Sequence, residues 1–146
     1  MSWQINDPII VPVDFSGESK DALDAAARIA QSSKQLHLIH VLYPLDNVSP
    51  GVLWGNVTDE TREQAIREQF DELLRTRDLS DVTLAVRFGN PGLEIAEYAD
   101  VTRAGLIVIP SHGFHGVKRM LLGSVAERVI RCANCPVLVL RRGDAD

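Results

Sequence analysis

Ile9-Ile10-Val11-Pro12-Val13-Asp14-Phe15-Ser16 is the stretch on which the reading of the fold turns. A short, nearly unbroken apolar run ends on a carboxylate and a serine. A strand without polar alternation is one covered on both faces, as in parallel sheets. Ser16 is a plausible N-cap for a helix carrying Ala22, Leu23, Ala26, Ala27 and Ile29 on one face. A buried strand feeding straight into an amphipathic helix is the first half of a βαβ unit.

The rest of the chain repeats that pattern. Apolar runs follow at Leu36 to Leu42, Val82 to Phe88, Leu106 to Ile109 and Pro136 to Leu140. The first, fourth and fifth runs read as strands covered on both faces, and the third, which alternates more, as one toward an edge. Between them, Glu60 to Arg77 is amphipathic through Ala65, Ile66, Phe70, Leu73 and Leu74. Asn90-Pro91 supplies an N-cap and first-turn proline for a third helix. Ser124-Val125-Ala126-Glu127 has capping-box spacing and opens a fourth, running to about Cys132. The 146 residues, 45% hydrophobic, suit one domain spanning 1–146. With aromatics at 5%, the interior is filled by Val, Ile, Leu and Ala.

Composition excludes several functions. A net charge of −5 argues against a nucleic-acid partner, which calls for a basic face. The opening Met1 to Asp7 lacks the charged start and long apolar core of a signal peptide, and no run is long enough to cross a bilayer. A cytoplasmic protein with no membrane partner is expected, and two cysteines give no secreted disulfide framework.

Two long connections, Tyr43 to Asp59 and Pro110 to Gly123, leave strands two and four, where loops of a parallel sheet gather at its C-terminal edge. In the second, Ser111-His112-Gly113 leaves the strand, Gly116, Lys118 and Arg119 come next, and Gly123-Ser124-Val125 enters a helix whose N–H groups favour an anion. At the other end, Pro12, Val13 and Asp14 form the tip of strand one. There the carboxylate can accept hydrogen bonds from an amine or a ribose hydroxyl. Val41 closes strand two as an apolar wall for a base. Read singly, Asp14 is equally a helix cap beside Ser16, and Val41 ordinary core.

These segments resemble the universal stress protein family over nearly the whole chain: Ile10 to Ser16, His40-Val41, Ser111 to Gly113, Leu122 to Val129 and Cys135 to Val139. The resemblance implies a doubly wound five-stranded parallel α/β sheet of order 3-2-1-4-5 with helices on both faces. It also implies a homodimer, paired through strand 136–140, and in one branch of the family bound ATP. That branch is marked by glycine, two residues, glycine, nine residues, then glycine with serine or threonine. Gly113, Gly123 and Ser124 match it, but Pro110 stands where the first glycine belongs and offers no N–H. Gly116 lies too near Gly123 to restore the spacing. The cofactor-binding set that the residues and this resemblance imply is Pro12, Val13, Asp14, Val41, Ser111, His112, Gly113, Gly116, Gly123, Ser124 and Val125. The ligand this implies is ATP, or AMP or ADP, with Mg²⁺ or Mn²⁺ carried on its phosphates.

No Walker lysine motif or paired carboxylates accompany the phosphate end, so little or no catalytic turnover is expected, at most slow ATP hydrolysis, with no catalytic residues. The alternative is a nucleotide-free dimeric interaction module in which Pro110 closes the site. An adenylating enzyme would need a glycine-rich loop after strand one, which Ser16-Gly17-Glu18-Ser19 matches poorly. Cys132 and Cys135 have redox spacing but come after a helix C-terminus, where the dipole opposes a thiolate, so they read as packing residues. His37 and His40 face opposite sides of a strand and, with His112 and His115, make no protein-only metal site, although His40 and His112 could approach each other at the sheet edge. Trp54 shields a ligand, joins a subunit contact or packs its loop.

Overall fold

The computed structural model describes residues 5–45, 55, 57–113 and 122–141. Strand β1 (Ile9–Pro12) runs into helix α1 (Gly17–Ile29), and a short 3-10 turn (Ser33–Gln35) leads to β2 (Leu36–Leu42). Then come α2 (Asp59–Arg75), β3 (Thr83–Phe88), α3 (Pro91–Thr102), β4 (Leu106–Pro110), α4 (Ser124–Cys132) and β5 (Val137–Leu140). All pairings are parallel, in the expected order β3-β2-β1-β4-β5.

Local chemistry starts the helices. Ser16 accepts from the Ser19 N–H, and Thr58 and Thr61 cap each other's backbone at α2. Asn90 accepts from Leu93 N–H with Pro91 as the first helical residue. At α4 the expected Ser124 capping box does not form: the N-cap is Gly123, without a side-chain hydrogen bond, and Ser124 is the exposed first helical residue. Gly123 N–H donates to the Ser111 carbonyl at 2.6 Å, which anchors the chain one residue before the serine.

Strand alternation divides the interior in two. Ile9, Val11, Val13, Leu36, Leu38 and Val108 face α1 and α2, meeting Leu23, Ile66 and Phe70. Ile10, Ile39, Ile107 and Ile109 face α3 and α4, meeting Ile95, Tyr98 and Val129. β3 lies at one edge, as its alternation predicts. β5 lies at the other and, against what its apolarity suggested, is only partly covered on its second face, where Leu140 packs toward the α1-side core. Val137 and Val139 pack toward α3 and α4, but α1 lies over β1 and β4 and leaves Leu138 37% exposed.

Candidate functional site

The site begins where two neighbouring strands part. β1 pairs with β4 only through Ile9↔Leu106 and Ile10↔Ile107, then stays with β2, with Val13 N–H donating to the Ile39 carbonyl at 2.8 Å. β4 stays with β5 as far as Pro110↔Leu140. The two chains diverge at the sheet's C-terminal edge, between the first strands of its two halves, where open α/β sheets hold ligands. Pro110 fits this place without loss. Ile107 and Ser111 donate toward β5, to Pro136 and Leu140, so by strand alternation the nitrogen of Pro110 faces the β1 side, where no ladder bond is made.

On the β1 side, Asp14 is held by Ser16, two residues further along the chain. Its Oδ1 accepts from both the N–H and the hydroxyl of Ser16, while Ser16 Oγ accepts from Ser19 N–H at 3.1 Å. The carboxylate is thus both a brace for the α1 cap and a group presented at the strand tip. The turn between them needs Phe15 at φ 65, a left-handed conformation costly for an aromatic residue. Its ring packs 5.3 Å from His40 and 5.2 Å from Phe70, and His40 Nδ1 lies 2.6 Å from the Val13 carbonyl.

From the β4 side, Gly113 comes so close that a Cβ there would collide with Asp14 Oδ2. Any side chain at 113 would have to push the Asp14 carboxylate, which Ser16 holds, out of its place across the crevice. The chain returns at Gly123, whose Cβ would stand 3.1 Å from the Ser111 carbonyl and 3.9 Å from His112 Cδ2. Ser111 and His112 are buried, 2% and 5% exposed, with Ser111 Oγ 3.1 Å from His112 Nδ1. Just beyond lie the first-turn N–H groups of α4, at Ser124, Val125 and Ala126, which have no acceptor within the helix. Val41 and Val125, both half-buried, pack on the same apolar cluster. The structure therefore joins Asp14 to Gly113 and Gly123 to Ser111 and His112, and sets Val41 and Val125 on one face. Pro12, half-buried, and Val13, buried, complete the tip of β1.

A model of the universal stress protein family matches residues 6–141. The chain belongs to that family. It is 37% identical to universal stress protein G of Escherichia coli O157:H7, over 91% of this chain and 97% of that one. To universal stress protein MJ0531 of Methanocaldococcus jannaschii it is 35% identical, over 92% and 81%. The solved structure of MJ0577, a universal stress protein of the same organism, superposes with a TM-score of 0.79 at 26% identity, covering 95% of this chain and 98% of that one. A universal stress protein solved in complex with cAMP superposes with a TM-score of 0.64, also at 26% identity, over 92% and 96%.

In this universal stress protein, Gly116, His115, Lys118, Arg119 and Trp54 fall outside the described residues. Among the described residues, no group of three or more His, Cys, Asp or Glu gathers as a metal would require. His37 and His40 do face opposite sides, toward Tyr98 and toward Val13 and Phe15. His40 and His112 hydrogen-bond to different groups, Val13 and Ser111. Cys132 and Cys135 are unbonded thiols, and burial, then the Asp100 carboxylate, pushes the Cys135 thiol up, which disfavours the thiolate of a redox pair. No described helix is long and apolar enough to cross a membrane.

Proposed function

We propose that this universal stress protein is an adenine-nucleotide-binding regulator of the stress response, holding ATP, AMP or ADP in the crevice between β1 and β4. The observation that carries this is the Gly113–Asp14 contact. Two segments far apart in sequence meet so closely that a Cβ on Gly113 would displace the Asp14 carboxylate, and they meet beside the N-terminus of α4. The residues fit such a ligand. Asp14 is an acceptor for ribose hydroxyls or an amine, Val41 and Val125 are apolar surface for a base, and Gly123 with the α4 first turn suits phosphate. The cAMP complex of a structural neighbour supports the same ligand class.

When bound, the nucleotide supplies charge and bulk across the β1–β4 gap, and Mg²⁺ or Mn²⁺ accompanies it through its phosphates. The described residues place no carboxylate pair beside the α4 N-terminus, and turnover, if measured, is expected to be slow. The regulator acts as a homodimer through residues 136–140, whose edge strand β5 exposes Leu138. Native mass spectrometry of gently purified protein tests the reading. A mass increment of one adenine nucleotide per chain is expected. Absence of any increment, before and after incubation with ATP, would favour the second reading, to which Pro110 points: a nucleotide-free dimeric interaction module.

A further inference from the structure

His112 holds a nitrogen that its surroundings leave over. The residue is 5% exposed, its Nδ1 is matched with Ser111 Oγ at 3.1 Å, and its Nε2 is buried with no hydrogen-bond partner among the described residues. A buried, unpaired ring nitrogen is costly, and native folds keep few of them without a use. Its position suggests the use. Nε2 is bonded to Cδ2, and Cδ2 lies 3.9 Å from the point where a Cβ on Gly123 would stand. Gly123 is the N-cap of the nine-residue helix α4, and no side chain caps it. The ring edge that carries the unpaired nitrogen therefore lies beside Gly123, the residue from which α4 starts, and the first-turn N–H groups of that helix have no acceptor within it.

We infer that His112 Nε2 is the side-chain donor to the phosphate of the bound nucleotide, and that it discriminates phosphorylated from unphosphorylated adenosine; this rests on the nucleotide-binding function proposed for the crevice. Donors of both kinds lie on either side of Gly123, and an anion is the chemistry that can satisfy them together. In the tautomer where the Ser111 hydroxyl donates to Nδ1, the proton resides on Nε2, ready to be given to a phosphate oxygen. Ser111 is thus a positioning residue for the ring. The arrangement also answers the departure at Pro110. That residue brings no N–H to the crevice, and a side-chain donor two positions later takes a place in the anion's shell.

Imidazole nitrogen NMR of the nucleotide-stripped wild-type protein reads the atom directly. The His112 Nε2 resonance is expected to move on adding AMP or ATP and to stay in place with adenosine. Inorganic phosphate is expected to move it only at concentrations far above those of AMP; a stronger response to free phosphate than to AMP overturns the inference. In titrations, His112→Leu is expected to weaken AMP and ATP at least tenfold and adenosine less than twofold, with His112→Gln recovering most of the loss. Equal losses for adenosine and ATP, or a resonance that ignores AMP while AMP binds, make His112 a packing residue and leave nucleotide binding standing. Wild-type protein that binds neither adenosine nor any nucleotide overturns both readings. If the leucine variant does not fold, the wild-type spectra still decide.

Discussion

Replacing Gly113 by alanine puts a methyl group onto Asp14 Oδ2, so either the carboxylate or the loop must move. Because α1 is braced by Ser16 more than by Gly113, the fold is expected to survive while ATP affinity falls at least tenfold, about 1.4 kcal/mol or more. Titration alongside circular dichroism separates the two effects. Pro110→Gly tests the departure from the family pattern. It places an N–H on the β1 side of β4 where no ladder bond waits, and is expected to tighten ATP binding several-fold while lowering stability by about 0.4–1 kcal/mol through added chain freedom. Binding seen in the glycine variant and not in the wild type would mean that Pro110 closes the site. At this scale the sequence was legible where a residue's role is local: Asp14 at a strand tip, Gly113 and Gly123 flanking a loop. It was opaque where a role depends on a distant partner, as with Gly113 against Asp14. His112 reads as a loop histidine and only packing shows it buried.

Helices α3 and α4 pack so closely that a Cβ on Gly92 would overlap the Arg128 side chain at Cβ and Cγ. Gly92→Ala is therefore expected to cost about 1–3 kcal/mol in urea unfolding, as overpacking does. An unchanged midpoint would mean that Arg128 swings aside freely. The β2–α3 contact is expected to make stability depend on pH. His37 Nδ1 lies 2.7 Å from the Tyr98 hydroxyl, and Arg87 stacks over the Tyr98 ring at 5.3 Å. Burial lowers the His37 pKa, so the folded state favours the neutral ring. Its contribution is complete above the unfolded value near about 6.5 and is lost as pH falls from there through the folded value. The urea midpoint is expected to drop between about pH 7.5 and about pH 5.5 more in wild type than in His37→Gln. Equal drops would remove His37 as the cause. Element order was readable because each strand's apolar run and each helix's amphipathic face are local patterns. The α4 cap was not, because Ser124 has the right spacing with Glu127 but Gly123 is tied to Ser111 across the fold.

For the whole molecule, the exposed side of β5 is what the chain leaves unfinished. Among the described residues Leu138 stands 37% exposed on the face where Leu140 still meets the α1-side core, so the apolar run that reads as doubly covered is only partly covered there. In the proposed homodimer, a second copy pairing along residues 136–140 would supply the rest of the cover. Leu138→Glu is expected to shift sedimentation from dimer to monomer at micromolar concentration; a wild-type monomer under the same conditions would refute the pairing. Whether a nucleotide spans the β1–β4 gap is tested most directly by calorimetric titration of ATP into nucleotide-stripped protein, in parallel with Gly113→Ala. Saturable heat at one nucleotide per chain, strongly weakened by the alanine, is expected. No heat from the wild type, or the same isotherm from both proteins, would contradict a site built on the meeting of Asp14 and Gly113.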